Sequence, residues 1–365
     1  MRAAVFPYDR EFAPILEAKD MITSFDVIRL VSFPGWGSRV PENVSNVELC
    51  TDFSHSLDQC DVLWIVNSWN HCSFKEHILP MVRQAAERKI QILFTRTLSS
   101  CEREEVRAIA NGFIVPLSTF VDDSKILDTI FASARQLHLA HIETPVIFVA
   151  GVSENTGKFH TQANLKHRFE ELGYRVLWIS SRKEAITMGG HPYPAFLEGP
   201  ANESVCEDQR ILMLNNYILL LEKAIQPDVI IMGVPGALML YSRHYARDFG
   251  CTAFRTFQAV TPDVLLVGSL YTANLDSRYF EQLEEETRSR YSCDIDCHFI
   301  SNFSVDFQTS EAKKELTYLT VSRGYISDQI TSNLNKDVSV LPYFDDNAIF
   351  MKVFGLLTRE SSPLV

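Results

Sequence analysis

The stretch VIFVAGVSENTGKFHTQANL, residues 146–165, decides how this chain is interpreted. Its apolar beginning predicts a buried β-strand, and the residues after Lys158 are typical of a helix. Between them, Gly151 and Gly157 precede the lysine with the spacing G-x5-G-K. Glycines allow backbone N–H groups to converge on an anion, and the N-terminus of a helix adds a partial positive charge. The stretch therefore predicts a phosphate-binding loop in which Lys158 neutralises the outer phosphates.

Two features of a magnesium-nucleotide site are missing from this pattern. Phe159 follows the lysine where such loops normally carry Ser or Thr, whose hydroxyl binds Mg²⁺. The strand expected beside the loop, residues 228–233, ends in Met232 and Gly233 and not in an acid. The sequence therefore argues against magnesium and against ATP hydrolysis by the familiar mechanism. The alternative interpretation is a strand-to-helix turn whose glycines serve only its geometry.

Two further loops follow strand ends, where doubly wound sheets bind ligands. One follows the strand 175–180, which we expect next to the strand of the first loop. The other follows the strand 228–233 and has the composition of a backbone anion nest. The candidate anion- or nucleotide-binding residues of the three loops are Gly151, Asn155, Thr156, Gly157, Lys158, Arg182, Lys183, Gly233 and Gly236. For Arg182 and Lys183, a solvated surface loop is the alternative.

Glu154 and His191 are the candidate catalytic residues, because either could act as a base toward an amine. Glu154 lies inside the first loop, where it would also repel a phosphate. Cys293, Cys297 and His298 are close in sequence, but zinc sites more often use cysteine pairs of the CxxC type. We therefore expect incidental cysteines there and no metal site.

The pattern of elements predicts two α/β domains, for which 365 residues are enough. In residues 1–141, apolar runs alternate with helix-like segments, which predicts a Rossmann-like parallel sheet without a GxGxxG fingerprint. For residues 142–365, the pattern predicts a doubly wound sheet like that of P-loop NTPases. We call its loop degenerate because the metal-binding hydroxyl after Lys158 is missing. A β-ribbon at 296–307 and a helix from Asp346 are expected to complete this second domain.

Composition and charge argue against several classes of protein. Apolar residues make up 46% of the chain and charged residues 22%, as in many globular proteins. The formal charge of −12 disfavours general binding to nucleic acid or to anionic membranes, which carry the same sign. We find neither a membrane-spanning apolar window nor the apolar core of a signal peptide. The eight cysteines lack the spacing of a disulfide framework, so we expect a cytoplasmic protein. Because most oligomers are symmetric homo-oligomers, a homodimer is the assembly that we expect by default.

Several motifs resemble known families. The longer loop spacing is similar to that of the dethiobiotin synthetase and cobyric acid synthase branch of P-loop proteins. Residues 146–271 resemble the C-terminal domain of a family that includes D-glutamate N-acetyltransferases, which carries a glutamate where this chain has Met232. Most of the chain more closely resembles the peptide maturation system proteins, encoded beside Cys-rich ribosomal peptides and radical SAM enzymes in Clostridium-like bacteria. The motifs that carry this resemblance are GVSENTGKF (151–159), GHPYPAFL (190–197), PDVIIMGVPGALM (227–239) and FQAVTPDVLLVGSLY (257–271).

These resemblances imply a function in the maturation of a ribosomally synthesised bacterial peptide. The chain would be an accessory or modifying protein that binds a nucleotide, a CoA-like molecule or a peptide at its degenerate P-loop. The implied partners are the precursor peptide and a radical SAM enzyme, and the candidate cofactors are ATP and acyl-CoA. In such proteins the lysine-phenylalanine pair is usual, which makes Phe159 a trait of the family. The alternatives are an ATP-dependent ligase or kinase of the dethiobiotin synthetase type and an acyl-CoA-dependent N-acyltransferase.

Overall fold

The computed structural model shows two compact α/β units. It describes residues 1–41, 44–53, 55–119, 138–194, 205–244, 249–273, 275–333 and 340–360. The N-terminal unit consists of Met1–Val121 with Arg182–Gly189, and the C-terminal unit of Asp122–Ser181 with Gly190–Val365. Each unit contains a large parallel sheet, so the predicted α/β fold class is confirmed. The chain leaves the C-terminal unit after Ser181, contributes one segment to the N-terminal unit, and then returns.

The N-terminal sheet has the strand order of a doubly wound domain. Its strands are β1 (Arg2–Phe6), β2 (Asp26–Val31), β3 (Glu48–Cys50), β4 (Val62–Ile65), β5 (Gln91–Phe94) and β6 (Leu117–Thr119). They lie parallel in the order β3-β2-β1-β4-β5-β6. This is the order found in Rossmann domains, so the Rossmann-like sheet predicted from the alternating pattern is confirmed.

The helices of the N-terminal unit are short, and one of them has a clear start signal. They are α1 (Ala13–Glu17), α2 (Leu79–Glu87), which continues the π-helical turn Phe74–Ile78, and α3 (Ser100–Phe113). Ser99 caps α3, because its hydroxyl accepts a hydrogen bond from the Glu102 N–H while the Glu102 carboxylate accepts one from the Ser99 N–H. This reciprocal pair satisfies two backbone donors that a helix start otherwise leaves without partners.

A 3-10 helix, Lys183–Met188, packs into the core of the N-terminal unit. Most of its residues are buried, including the carboxylate of Glu184. Glu184 Oε1 accepts a hydrogen bond of 3.2 Å from Thr95 Oγ1, which accepts one of 3.0 Å from Trp64 Nε1. Burial raises the pKa of Glu184 above its usual value. Residues that follow a strand of the C-terminal sheet thus serve as core of the other unit.

The C-terminal sheet has seven parallel strands. Along the chain, the strands of this unit are β7 (Val146–Gly151), β8 (Val176–Ser180), β9 (His191–Pro192), β10 (Val229–Gly233), β11 (Val264–Ser269), β12 (Cys297–Ile300), β13 (Phe303–Val305), β14 (Tyr318–Thr320) and β15 (Val340–Pro342). The order in the sheet is β15-β12-β11-β7-β10-β8-β9, while β13 and β14 form a separate antiparallel pair. The predicted doubly wound sheet is therefore confirmed.

The strand β7 stands where the order of the C-terminal sheet reverses. After β7 the chain builds β8, β9 and β10 on one side of it, and then β11, β12 and β15 on the other. In such sheets the crevice outside the carboxyl ends of the strands, at the point of reversal, is where ligands bind. The crevice here lies between the ends of β7 and β11, which pair in parallel.

Two expectations about this sheet are wrong. The strand β8 is not next to β7, because β10 lies between them and pairs with both. Residues 296–307 do not form a β-ribbon, since β12 joins the main sheet beside β11 and only β13 pairs antiparallel. Both errors have one cause: pairing between strands far apart in sequence leaves no local signal.

The helices of the C-terminal unit alternate with its strands. They are α4 (Lys158–Glu171), α5 (Glu207–Ile225), α6 (Cys251–Ala259), α7 (Ser277–Tyr291), α8 (Phe307–Lys313), α9 (Arg323–Asn333) and α10 (Asp346–Glu360). The helix expected from Asp346 is confirmed as α10. Across the described ranges of both units, we find no helix with the length and apolar character needed to cross a membrane.

Candidate functional site

The end of β7 and the loop that follows it are fixed to β11 and to the segment that follows β10. The Val152 N–H donates a hydrogen bond of 2.9 Å to the carbonyl of Gly268, in β11. On the other side, the Leu238 N–H donates one of 2.9 Å to the carbonyl of Gly151. The loop thus lies at the carboxyl ends of three adjacent strands, as a phosphate-binding loop requires.

The glycines of the loop occupy positions that other residues would disturb. A Cβ atom on Gly151 would lie 2.2 Å from Thr156 Oγ1. Gly157 has a φ of +84°, and a Cβ there would lie 2.8 Å from Cδ2 of Tyr343. Asn155 is also left-handed, with a φ of 59°. The spacing of the glycines therefore follows from the tight path of the backbone.

The first turn of α4 presents backbone donors to the loop. Gly157 is the N-cap residue and makes no side-chain cap hydrogen bond. The first N–H groups of a helix have no partner within the helix, and they carry the positive end of its dipole. This end of α4 therefore suits an anion.

Lys158 lies inward and joins the first loop to the third. Its side chain is only 8% exposed, and its ammonium donates a hydrogen bond to the carbonyl of Gly236. The ammonium also lies 3.8 Å from Oε2 of Glu154, whose side chain is 55% exposed. Two candidate binding residues, Lys158 and Gly236, thus meet in space. A bound anion would accept hydrogen bonds from the ammonium in place of the Gly236 carbonyl and the Glu154 carboxylate.

Phe159 itself supplies no hydroxyl for a metal and serves as a core residue. Phe159 is buried, with its ring centre 5.5 Å from that of Trp178. Trp178 Nε1 donates a hydrogen bond of 3.1 Å to Gln162 Oε1. A Cβ on Gly233 would lie 2.3 Å from that same amide oxygen, so Gly233 makes room for Gln162. Phe159 and Gly233 therefore have roles in packing.

The donor set at the loop does not suit magnesium, which prefers several oxygen ligands including carboxylates. Thr156 Oγ1 donates to the carbonyl of Ser153 at 3.3 Å. Thr161 Oγ1 is buried and has no hydrogen-bond partner among the described residues. Within the ranges that the structure describes, no group of three or more His, Cys, Asp or Glu residues is placed to hold a metal ion.

Tyrosine hydroxyls lie beside the loop and beside the end of β11. Tyr318 Oη lies 3.2 Å from Ser153 Oγ in the loop, and Tyr279 Oη donates at 3.2 Å to Ser269 Oγ at the end of β11. Burial raises the pKa of Tyr241 to about 12, and the neighbouring Tyr279 and Tyr318 add to the shift. A phenol with that pKa stays protonated at neutral pH and can donate a hydrogen bond to a ligand.

A further aromatic side chain, that of Tyr343, packs against the loop. Tyr343 follows β15 and is buried against Gly157. Its hydroxyl accepts a hydrogen bond of 3.1 Å from Arg323. The sequence gives no hint of these contacts, because Tyr318, Arg323 and Tyr343 lie far along the chain from the loop and belong to no recognised motif.

Two of the other candidate binding residues are held inside the N-terminal unit. Arg182 forms an ion pair of 3.1 Å with Glu11, and Lys183 Nζ donates a hydrogen bond of 3.0 Å to Thr97 Oγ1. Neither is among the residues that the C-terminal unit gathers around its loop. The loop that follows β8 therefore differs from the loops that follow β7 and β10 in its surroundings.

His191 lies in β9, the edge strand. It pairs in register with Ile179 of β8, and β8 and β10 separate β9 from β7. Since neighbouring strands are about 4.8 Å apart, His191 is roughly 14 Å from β7 across the sheet. Burial lowers the pKa of this histidine, which favours the neutral ring. The C-terminal unit thus brings Glu154 to the loop but not His191.

Cys293, Cys297 and His298 do not converge on a common point. His298 Nε2 lies 2.9 Å from Glu284 Oε1, in α7. Burial raises the pKa of both thiols to about 11, which disfavours the thiolates that zinc binds. Within the described ranges these three residues belong to no group of three or more His, Cys, Asp or Glu residues that could hold a metal ion, and the expectation of incidental cysteines stays a prediction.

Comparison with known proteins finds similarity to solved structures. No protein-family model matches this chain, and no curated protein matches it. A DUF1611 family protein from Anabaena variabilis superposes with a TM-score of 0.59 over 98% of this chain and 99% of that chain, at 9% identity. The signal recognition particle receptor FtsY from Elizabethkingia anophelis covers 61% of this chain and 70% of its own at 14% identity, with a TM-score of 0.28. Homoserine dehydrogenase from S. aureus covers 52% and 44% at 16% identity, with a TM-score of 0.27. Of these three, the first indicates a shared overall fold, and at that identity it indicates the fold alone.

Proposed function

We propose that the C-terminal unit binds a phosphate-bearing ligand, a nucleotide or a CoA-like molecule, at the loop Gly151–Lys158 without magnesium. The observation that carries the proposal is the position of Lys158. Its ammonium is buried beside the uncapped start of α4, at the point where the strand order reverses. A buried cation and several backbone donors at one place form a site for an anion.

The loop favours binding over phosphoryl transfer. Phosphoryl transfer depends on metal ions that bridge the phosphates and neutralise the developing charge. Here Phe159 is packed against Trp178 where the metal-binding hydroxyl would stand, and β10 ends in Met232 and Gly233. Both positions are filled by core residues, so the ligase or kinase alternative lacks its metal ligands.

The biological setting is proposed from the sequence motifs. GVSENTGKF and the three other motifs resemble peptide maturation system proteins, so we place this chain as an accessory or modifying protein in the maturation of a ribosomally synthesised peptide in a bacterial cytoplasm. A precursor peptide and a radical SAM enzyme are the partners. A pull-down of a Cys-rich precursor peptide encoded beside this chain's gene tests the setting, and absence of such a neighbour would count against it.

Isothermal titration tests ligand binding at the loop. Pyrophosphate, ATP and acetyl-CoA are titrated in the presence of EDTA into the full chain and into Lys158→Ala. We expect the substitution to weaken binding by at least about tenfold, because hydrogen bonds to charged groups contribute about 1.5–3 kcal/mol. The control is Lys166→Ala, which removes a lysine of the same helix that pairs with Glu170 at 2.7 Å.

The outcomes separate a binding site from a structural turn. Equal affinity of the parent chain and Lys158→Ala for every ligand would exclude the loop as the site. Loss of binding in both lysine variants would point to a general charge effect and not to Lys158. Thermal unfolding of each variant, measured without ligand, shows whether the loss of the Gly236 contact has unfolded the C-terminal unit.

A further inference from the structure

We propose that the ligand of the phosphate loop carries adenine, and that this base occupies a cavity at the carboxyl ends of β11 and β12. The inference rests on the proposed function of the loop. It makes that function more specific, because adenine is the part that ATP and acyl-CoA have in common. Three features carry it: the cavity itself, its distance from the loop, and the buried amide of Asn302.

The cavity lies within the C-terminal unit and has an empty volume of about 260 Å³. Most of its lining is apolar or aromatic and includes Tyr271, Leu275, Ile300 and Ile330. Pockets that enclose a whole small ligand measure about 300–1,000 Å³, so this cavity suits one part of a ligand. Tyr271 supplies an aromatic ring, and the bases of nucleotides stack on such rings. The cavity therefore suits a planar base.

The sheet fixes how far the cavity is from the phosphate loop. The loop contacts β11 at Gly268, whose carbonyl accepts a hydrogen bond of 2.9 Å from the Val152 N–H. A Cβ on Gly268 would also lie 2.7 Å from the carbonyl oxygen of Thr156. Tyr271 comes three residues after Gly268, so the two Cα atoms are at most about 11 Å apart. An extended nucleotide with its phosphates on the loop can therefore place its base in the cavity.

The strand β12 brings Asn302 to the same place. Ile300 ends β12 and lines the cavity, and Asn302 follows it by two residues. The next residue, Phe303, accepts a hydrogen bond of 2.8 Å at its carbonyl from the N–H of Tyr271. Asn302 thus lies between one residue that lines the cavity and one that is bonded to its lining.

The amide of Asn302 is buried without the partner that a buried polar group normally has. Asn302 is 8% exposed, and its Oδ1 has no hydrogen-bond partner among the residues that the structure describes. Most buried polar atoms in proteins are paired, so an unpaired one requires an explanation. A half-turn of the amide exchanges its oxygen and its nitrogen, so either can meet a ligand. An asparagine amide matches adenine, because it can form hydrogen bonds to both N6 and N7.

Isothermal titration in EDTA compares ATP, ITP and inorganic tripolyphosphate on the full chain. Tripolyphosphate lacks the nucleoside, and ITP has a carbonyl where adenine has its amine. We expect ATP to bind roughly fivefold or more tightly than tripolyphosphate, because stacking on an aromatic side chain contributes at least that much. ITP should bind more weakly than ATP, since it cannot form both hydrogen bonds. Equal affinities for ATP and ITP would overturn the assignment to adenine.

A substitution in the lining tests the cavity itself. Ala273→Trp places an indole at an exposed position of the lining and should weaken ATP binding by about tenfold while leaving tripolyphosphate binding unchanged. The matched control is Ala224→Trp, which changes an exposed alanine in the last turn of α5. That turn precedes β10, at the opposite edge of the sheet, so this variant should bind as the parent does. If Ala273→Trp binds ATP as tightly as the parent does, the base does not occupy the cavity.

Asn302→Leu tests the amide and keeps the size of the side chain. We expect ATP to bind roughly threefold to tenfold more weakly, with the preference for ATP over ITP lost and tripolyphosphate unaffected. The midpoint of thermal unfolding should not fall, because an unpaired amide contributes no hydrogen bond to the fold. A lower midpoint together with an unchanged preference for ATP over ITP would show that the amide has only a structural role.

Failure of this inference differs from failure of the proposed function. If tripolyphosphate binding depends on Lys158 but ATP binds the parent chain no more tightly than tripolyphosphate does, the cavity is not the site of a base and the loop remains the phosphate site. If the parent chain binds none of the three probes, both proposals fall. If Ala273→Trp does not fold, the comparison of ATP with ITP in the parent chain and in Asn302→Leu still decides the question.

Discussion

The substitution Gly157→Ala tests the geometry on which the site depends. Gly157 has a φ of +84°, a conformation that costs an L-residue about 1–2 kcal/mol. The added methyl group would also lie 2.8 Å from the buried ring of Tyr343, and such overpacking costs about 1–3 kcal/mol. Together these predict a loss of about 2–5 kcal/mol in the free energy of unfolding of the C-terminal unit.

Gly173→Ala is the matched control for this prediction. Gly173 has nearly the same φ, +87°, but nothing lies within 4 Å of the position of its Cβ. It should therefore lose only the backbone contribution, about 1–2 kcal/mol. Unfolding in urea is followed by tryptophan fluorescence. Trp178 reports on the C-terminal unit, and the other three tryptophans report on the N-terminal unit, whose transition both variants should leave unchanged. Equal losses for the two variants would refute the close contact between Gly157 and the ring of Tyr343.

Two further predictions concern pH and magnesium. Burial raises the pKa of Glu184 in the folded chain above its usual 4.5, so the native state holds this proton more tightly than the unfolded chain does. The N-terminal unit should therefore lose stability as pH rises from 4.5 through that raised pKa, and Glu184→Gln should flatten the curve. If the urea midpoint of Glu184→Gln changes with pH as steeply as that of the parent chain, Glu184 is not the source of the pH dependence. Magnesium should not strengthen the binding of ATP, because buried Phe159 offers it no hydroxyl, whereas magnesium-dependent phosphate release would revive the ligase or kinase alternative.

The sequence predicts much of the C-terminal sheet because its signals are local. An apolar run followed by G-x5-G-K marks β7, its loop and the start of α4 without knowledge of the rest of the chain. The strand 228–233 is predicted in the same way, from its apolar composition and from the short turn next to it. The fold class depends on this alternation of strands and helices, and each element can be recognised from a short segment of the sequence.

The neighbours of the loop are not predictable in that way. Tyr343 reaches Gly157 only because the end of β15 is brought to the loop of the C-terminal unit, and Arg323 at the start of α9 contacts Tyr343 there. An arginine before a glycine and a tyrosine before a phenylalanine are ordinary dipeptides. The position of β10 between β7 and β8 is likewise decided by packing over long distances in sequence, which propensities do not record.

The segment Arg182–Gly189 has a consequence for how the protein is made. Domains usually fold in order as they leave the ribosome. The main stretch of the N-terminal unit ends at Val121, and about 70 more residues must be translated before Arg182–Gly189 is complete. At common rates of synthesis this translation takes roughly 4–14 s. During that time the partner for Thr95 in its core, the carboxylate of Glu184, does not yet exist. The first two strands of the C-terminal sheet are translated before the N-terminal core is complete, so the two units mature as an interleaved pair and cannot be separated by cutting the chain once.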